Sequence, residues 1–459
     1  MFEREVRSFT PAEVEKLREK AQIPGKLALI WHQFYGGKIE IAPKCAILDL
    51  DAFGVYYTPG VAQSCKKIMK HPESIFEQTN KANTIAVFTN ETRVLGLGDL
   101  DPGAGLPVME GKALLFKYLG GVDAYPLCLD TDDPEEFIRT ALILQPSFVG
   151  YNLEDISQPN CFYILEKLRE KAEILVMHDD QQGTATVTLA AFLNALHLVD
   201  KQISQIKICL VGFGAANFPF YNLVTAAGAD PDNITICDIK GILGPANVSD
   251  YGPNDPRREV CKITNRRGLT GGTPEAMKGA DVVIAYSASV ENSIKPEWVS
   301  SMNEGAIVFA CANPTPEIWP WDALKAGAYI VATGRSDLPY STQVNNSMGF
   351  PAIFRGGLDV RATDITPNMC IAAAKSLGER QREIGLLDVD HLIPSMADTE
   401  AFIEEAVAVG RQAIQDGVAR LVFDDEQLRE MATKKIRHAR DLYEALKKDG
   451  IILDPPSEN

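Results

Sequence analysis

Two successive runs of strand type each end in a pair of carboxylates and lead into a helix, and this repeat constrains the fold more than any other feature. Ile174 to Met177 is a short apolar run followed by Asp179-Asp180, and an apolar-periodic helix pattern then runs from Ala185 to about Leu198. One unit earlier, Phe148 to Leu153 ends in Glu154-Asp155, and Ser157-Gln158-Pro159 opens a helix reaching about Lys171. Strands alternating with helices imply a parallel sheet, whose ligands bind beyond the carboxyl ends of the strands. Four carboxylates in one place are costly unless a cation neutralises them, so a divalent-metal site is expected. The competing reading is that Asp155 and Asp180 only cap the helices that follow.

The chain, at 459 residues, exceeds one ordinary core and implies two or three domains. Its net charge of −17 excludes the basic footprint that a nucleic-acid binder needs. MFEREVRSFT lacks the apolar core of a signal peptide, and no segment approaches the ~18 uninterrupted apolar residues of a membrane span, so a cytoplasmic protein is expected. The nine cysteines are odd in number and lack C-x-x-C spacing. Several, Cys128, Cys209 and Cys237, lie in apolar runs, which implies reduced, buried thiols.

Thr10-Pro11-Ala12-Glu13 has capping-box spacing with proline at the first helical position, so a helix should run to about Gln22. In FGVYYTPGVA, Thr58-Pro59-Gly60 forces a turn after Tyr57 and presents its phenol at that turn; an aromatic there is either core or chemistry. Ala86 to Thr89 and Val94 to Leu97 read as a short hairpin with Asn90 to Arg93 as its polar tip. From Pro107 to Leu119 the periodicity is helical, and Lys112 lies on the apolar stripe with Val108, Met109, Leu115 and Phe116, whereas Lys117 points elsewhere. Apolar neighbours lower a lysine's pKa and so make a general base; the alternative is a snorkelling stem with a solvated ammonium.

A new unit begins at KICLVGFGAAN, where a strand (Lys207 to Val211), a glycine turn and a helix follow one another. The next strand, Asn233 to Cys237, ends in Asp238. This is a dinucleotide fingerprint: the turn Gly212, Gly214, Ala215, Ala216, Asn217 faces the pyrophosphate, and Asp238 can accept the ribose 2′-hydroxyl. Asn217 replaces the third glycine. Further strand-like runs at Asp281 to Ala285, Ala306 to Ala310 and Tyr329 to Ala332 extend a Rossmann domain. Asp238 favours NAD, because a carboxylate repels the 2′-phosphate of NADP; Arg257, Arg258, Arg266 and Arg267 follow, and one folded over the ribose would reverse that choice. Asn313 in CANPTPE and Asn345-Asn346 in QVNNSMGFPAIFRGGLD are turn residues whose amides also suit a small polar substrate. Helical patterns dominate from Thr366 onward, at Asn368 to Leu377, Ala401 to Gln415 and Asp424 to Lys448.

YTPGVA, LGLGDL, PVMEGKALLFKYLGGVDAYPLCLDT, NLEDIS, HDDQQGTA, ANPTPE, and QVNN with GFPAIFRGGLDVRA together resemble malic enzymes of the shorter microbial type, over about Tyr57 to Ala362. The resemblance implies oxidative decarboxylation of malate to pyruvate and carbon dioxide with NAD, or NADP, and Mg²⁺ or Mn²⁺. It implies Glu154, Asp155 and Asp180 as metal ligands, with Asp179 supporting them, Lys112 as general base and Tyr57 as general acid. Arg93, Asn313 and Asn346 would hold malate, Asn313 also touching the cofactor. The chain departs from the pattern at Asn217, in the Gly244 to Val260 loop and after about Arg420.

The expected fold is α/β: an amino-acid-dehydrogenase-like catalytic domain at 1–182, a Rossmann domain at 183–334, and a mostly helical segment 335–459 returning to the first domain. At least a homodimer is implied by resemblance, with Tyr57 serving its own cleft or a partner's. A malolactic enzyme or an oxaloacetate decarboxylase would use the same residues. A non-catalytic NAD-responsive protein would need no acid, base and metal set, and an amino-acid dehydrogenase would not need the metal carboxylates.

Overall fold

The computed structural model describes residues 9–94 and 97–457 and contains two sheets. The first is formed by β1 (Thr84–Thr89), β2 (Asp123–Cys128), β3 (Gly150–Leu153) and β4 (Leu175–His178), all parallel in the order β2-β1-β3-β4. Alternation along each strand sorts its side chains to two faces. Ala86, Phe88, Tyr151, Leu153 and Val176 pack against the helices Pro134–Leu144 and Asn160–Lys171. Ile85, Val87, Leu175 and Met177 instead join the main core, with Met109 and Phe116 of the helix Leu106–Gly120 and Phe350 and Phe354 of the helix Phe350–Asp359.

The second sheet comprises β5 (Ile208–Val211), β6 (Ile234–Asp238), β7 (Gly241–Ile242), β8 (Val282–Ala285), β9 (Ile307–Ala310), β10 (Ile330–Thr333) and β11 (Thr342–Gln343). Their order is β11-β10-β9-β8-β5-β6-β7, parallel except for the short β6–β7 pair. The chain reverses direction across the sheet between β5 and β8, so the crevice of a doubly wound fold opens beyond their carboxyl ends. The α/β class and the strands expected after Lys207 are as the pattern predicts.

The expected hairpin is not formed. β1 is flanked by parallel β2 and β3, and Val94 makes only an isolated bridge to Gly98. Leu95 and Gly96 lie outside the described residues. All six residues of β1 are buried, and a strand covered on both faces carries no alternation to separate parallel from antiparallel pairing. Asn90 to Arg93 is therefore the loop at the carboxyl end of β1, and it reaches the acidic cluster: the Arg93 N–H donates to the Asp155 carbonyl at 3.1 Å.

Three long helices, Pro367–Glu383, Thr399–Gln415 and Asp425–Lys448, complete the chain. Small residues set their approach: a Cβ on Gly356 would lie 2.3 Å from the Ala406 carbonyl oxygen, and one on Gly121 2.5 Å from that of Lys435. The helix Pro11–Lys20 begins with the reciprocal Thr10–Glu13 capping box and packs Phe9, Val14 and Leu17 on Trp319, Trp321 and Leu338. No disulfide forms among the described residues; Cys209 and Cys237 are buried and Cys128 half-buried. No helix among them is long and apolar enough to cross a membrane.

Candidate active site

Glu154 and Asp155 follow β3, Asp180 follows β4, and the pairing Leu153 with His178 sets these strand ends side by side. Asp155 has φ of 51°, a left-handed conformation that aspartate tolerates, and its N–H donates to Asp180 Oδ2 at 2.9 Å. One carboxylate oxygen from each of Glu154, Asp155 and Asp180 lies within 4.8 Å of the others. The capping alternative is overturned: the helices Asn160–Lys171 and Thr184–Leu198 have no side-chain cap, and a π-helical turn, Asp179–Gly183, separates Asp180 from the second. Three hard oxygen donors on rigid strand ends fit a divalent cation of the Mg²⁺ or Mn²⁺ type.

Lys112 Nζ lies beside this cluster, donating to Asp179 Oδ2 at 2.5 Å and pairing with Glu154 Oε1 at 2.9 Å. Its ammonium also sits 4.3 Å from the centre of the Phe350 ring. The lysine is buried as the stripe predicts, but the expected lowering of its pKa is corrected. Burial pushes it down, yet Asp179 and Glu154 outweigh burial and hold the ammonium above its ordinary range. Carboxylates outnumber the one buried ammonium, so they rise as well. Burial, then the neighbouring acids, pushes Glu154 and Asp179 up to about 7 and Asp180 to about 6. The snorkelling alternative also fails, since the ammonium is not in water; Lys117 by contrast is half-exposed and pairs with Asp123.

Three supporting residues carry weaker sequence signals. Asn152 is a polar residue within the apolar strand β3, and its amide donates to Glu154 Oε2 at 2.7 Å. Gly183 leaves room for Asp179, whose Oδ1 lies 1.8 Å from where a Cβ would stand. Glu317, fully buried, accepts from the Ser287 and Ala312 N–H groups at 2.8 and 3.0 Å and so ties together the loops after β8 and β9.

On the second sheet, Gly212 has φ of 82°, and a Cβ there would strike the Tyr286 carbonyl oxygen at 2.4 Å. Asn217 replaces the third glycine by bonding rather than by closeness. Its amide donates to the carbonyls of Val211, Gly212 and Ile284, pinning the turn to β5 and β8. At the end of β6, Asp238 accepts from the Lys240 N–H at 2.7 Å and the Tyr251 hydroxyl at 2.9 Å. Among the described residues no arginine pairs with it. Arg257 is buried against Asp255, Arg258 donates to the Tyr251 carbonyl, Arg266 pairs with Asp232 and Arg267 with Asn233.

Asn346 meets the start of the helix Thr184–Leu198, its amide 3.5 Å from Thr184 Oγ1, while Asn313 lies beyond the end of β9 against Gly334. The Arg93 side chain is exposed, near enough to Asp180 to favour its ionised form. Tyr57 ends the helix Ala52–Tyr56 at the expected turn. It is 72% exposed, and among the described residues no hydrogen bond joins it to the cluster.

Residues 36–169 match the model of the malic enzyme N-terminal domain. The bifunctional malic/malolactic enzyme of Bacillus subtilis is 43% identical over 89% of this chain and 97% of its own. The chain belongs to the malic enzyme family. The NAD-dependent malic enzyme of Geobacillus stearothermophilus is 44% identical over 84% of this chain and 78% of its own. An NADP-dependent malic enzyme of Escherichia coli is 38% identical over 85% of this chain but 52% of its own. The crystal structure of Entamoeba histolytica malic enzyme superposes with a TM-score of 0.91 at 43% identity, covering 98% of this chain and 93% of that one. The malic enzyme fold thus extends over both sheets and the C-terminal helices.

Proposed function

We propose that the protein oxidises and decarboxylates malate to pyruvate and carbon dioxide while reducing a nicotinamide dinucleotide. The observation that carries the reading is Lys112, paired with Asp179 and Glu154 beside three convergent carboxylates. Glu154, Asp155 and Asp180 would hold Mg²⁺ or Mn²⁺, which when bound would polarise the substrate oxygen, stabilise negative charge there and offset the acidic charge that keeps the proton on Lys112. Lys112 then accepts the C2 hydroxyl proton as hydride leaves C2 for the nicotinamide, and Asp179 holds its Nζ in place. Loss of the adjacent carboxylate as carbon dioxide leaves the enolate of pyruvate, and the Tyr57 hydroxyl gives its proton to C3 to form the ketone. Arg93, Asn313 and Asn346 take the malate carboxylates, and Asn313 also meets the cofactor.

The cofactor reading is NAD. Asp238 stands where a 2′-phosphate would fall, and the four nearby arginines are engaged elsewhere. Gly212, Gly214, Ala215, Ala216 and Asn217 would line the pyrophosphate. The division proposed is 1–182, 183–334 and 335–459, with the cleft between the first two.

A homodimer accounts for an otherwise unexplained surface. The helices Ile23–Tyr35, Ala52–Tyr56 and Val61–Lys70 bury no residue, and Leu29, Ile41, Leu48, Leu50 and Met69 are each more than three-quarters exposed. Apolar area of that kind marks an interface. Tyr57 lies within it, so a second copy is the proposed route by which it reaches a cleft. The acidic surface and reduced thiols support a cytoplasmic protein.

The test is absorbance of the reduced nicotinamide with malate, Mn²⁺ and each dinucleotide in turn, with pyruvate and lactate assayed. Lactate without a reduced nicotinamide would favour the malolactic alternative, and no reaction in any combination would overturn the reading.

A further inference from the structure

The Pro/Asp/Asn-rich segment from Gly244 to Val260 has no part in the reaction above, and its middle is exposed, yet the structure buries Asp255 and Arg257 where it enters the helix Arg257–Ile263. Arg257 is 8% exposed and Asp255 7%. Arg257 Nε donates to Asp255 Oδ1 at 2.9 Å, and Nη2 completes the pair on Oδ2. Its Nη1 makes two further bonds, one to each loop. One goes to the Phe213 carbonyl at 3.1 Å, inside the glycine turn between Gly212 and Gly214. The other goes to Gln158 Oε1, three residues after Asp155 on the loop that carries the acidic cluster. Gln158 Oε1 also stands 3.4 Å from where a Cβ of Gly214 would be, so the two loops touch. The guanidinium carbon lies over two rings, 5.1 Å from the centre of Phe162, on the first sheet's helix Asn160–Lys171, and 4.7 Å from that of Tyr251. Tyr251 in turn donates its hydroxyl to Asp238.

We propose that Arg257 is a positioning residue that holds the dinucleotide turn and the metal-bearing loop in one register, so that dinucleotide and divalent cation each tighten the other's binding. The inference rests on the reading of those two loops as the dinucleotide and metal sites. A planar fork with five donors can serve both oxygens of an acid, a carbonyl and an amide oxygen at once, whereas an ammonium has only three donors for these four acceptors. An ammonium in its place would leave at least one of the buried acceptors unpaired. Each ligand fixes one of the loops that Arg257 bridges, so ordering one reduces the cost of ordering the other, and the linkage is reciprocal by thermodynamic necessity.

The experiment measures the Kd of NADH by its fluorescence, with no malate present, in chelator and in saturating Mg²⁺. The unmodified protein should bind NADH on the order of five-fold or more tightly with Mg²⁺, the usual range of coupling between sites. Gln158→Met severs only the bond across the loops at an exposed position and should bring the ratio of the two Kd values close to one. Arg257→Met should do the same while also weakening NADH binding in chelator. If that variant does not fold, judged by its thermal melt, Gln158→Met decides alone. Tyr251→Phe keeps the stacked ring and loses the bond to Asp238, so it should weaken NADH in both conditions and preserve the ratio. A ratio near one in the unmodified protein, or an unchanged ratio in Gln158→Met, overturns the coupling even though NADH binds. Failure of the unmodified protein to bind NADH at all overturns the dinucleotide reading itself, and the coupling with it.

Discussion

Lys112 and Asp179 stand 67 residues apart in the chain and 2.5 Å apart in the fold, one on the helix Leu106–Gly120 and the other at the end of β4. A carboxylate that grips the ammonium this closely fixes where Nζ points. Removing Lys112 therefore removes both the proposed proton acceptor and the partner of two buried acids. Lys112→Ala should lower kcat for malate oxidation on the order of 10²- to 10⁴-fold with an unchanged circular-dichroism spectrum. Near-normal turnover would show that the base lies elsewhere.

Gly183 tests the positioning of that pair without touching either charge. Its φ of −65° suits any residue, so the glycine is there for space: a Cβ would meet Asp179 Oδ1 at 1.8 Å. Gly183→Ala should push Asp179 away from Lys112 and lower kcat by at least about ten-fold, with a stability cost of about 1–3 kcal/mol from overpacking. A variant that keeps its kcat would mean that the orientation of Asp179 does not matter.

Asp180→Asn removes one of the three convergent carboxylates proposed to hold the metal and should weaken Mn²⁺ binding and reduce turnover by roughly 100-fold or more. Excess chelator should abolish activity in the unmodified protein, and added Mn²⁺ should restore it. Full activity in chelator would rule out the metal.

At about 5 Å and an effective dielectric near 20, each unit of like charge costs roughly 3 kcal/mol, so Asp238 should give NAD an advantage of about 100-fold in kcat/KM. Asp238→Ala should erase most of that advantage by improving NADP and impairing NAD. A higher kcat/KM with NADP in the unmodified protein would refute the assignment.

Glu405, on the helix Thr399–Gln415, is fully buried, and neither of its carboxyl oxygens has a hydrogen-bond partner among the described residues. Burial raises its pKa well above the ordinary value. A folded-state pKa above the unfolded one means that the native protein holds a proton the unfolded chain releases, so stability falls as pH rises beyond about 4.3. Glu405→Gln removes that penalty. Its Tm should match the unmodified protein near pH 4 and exceed it by at least about 2 °C at pH 8. An equal Tm at both pH values would show that Glu405 is ionised and compensated.

Much of the site was legible in the chain because strand ends in a parallel sheet are local events. Apolar runs stopping at Glu154-Asp155 and Asp179-Asp180 place the acids from spacing alone, and the helical stripe sets Lys112 on an inward face. The glycine turn and Asp238 follow from the same local grammar, as does the turn at Tyr57. Pairing partners are not local. β1 is buried on both faces, so nothing in its own residues distinguishes the hairpin expected from the parallel sheet found. The state of Lys112 was likewise beyond the stripe, because its charge is set by Asp179 and Glu154, which arrive from other strands and outweigh burial. Arg257 reads as a loop charge in sequence; only the packed structure brings Asp255, Phe213 and Gln158 around one guanidinium. Periodicity and turn chemistry depend on neighbours a few residues away and are written in the chain, whereas register, desolvation and charge pairing depend on which distant elements meet, and tertiary packing decides that.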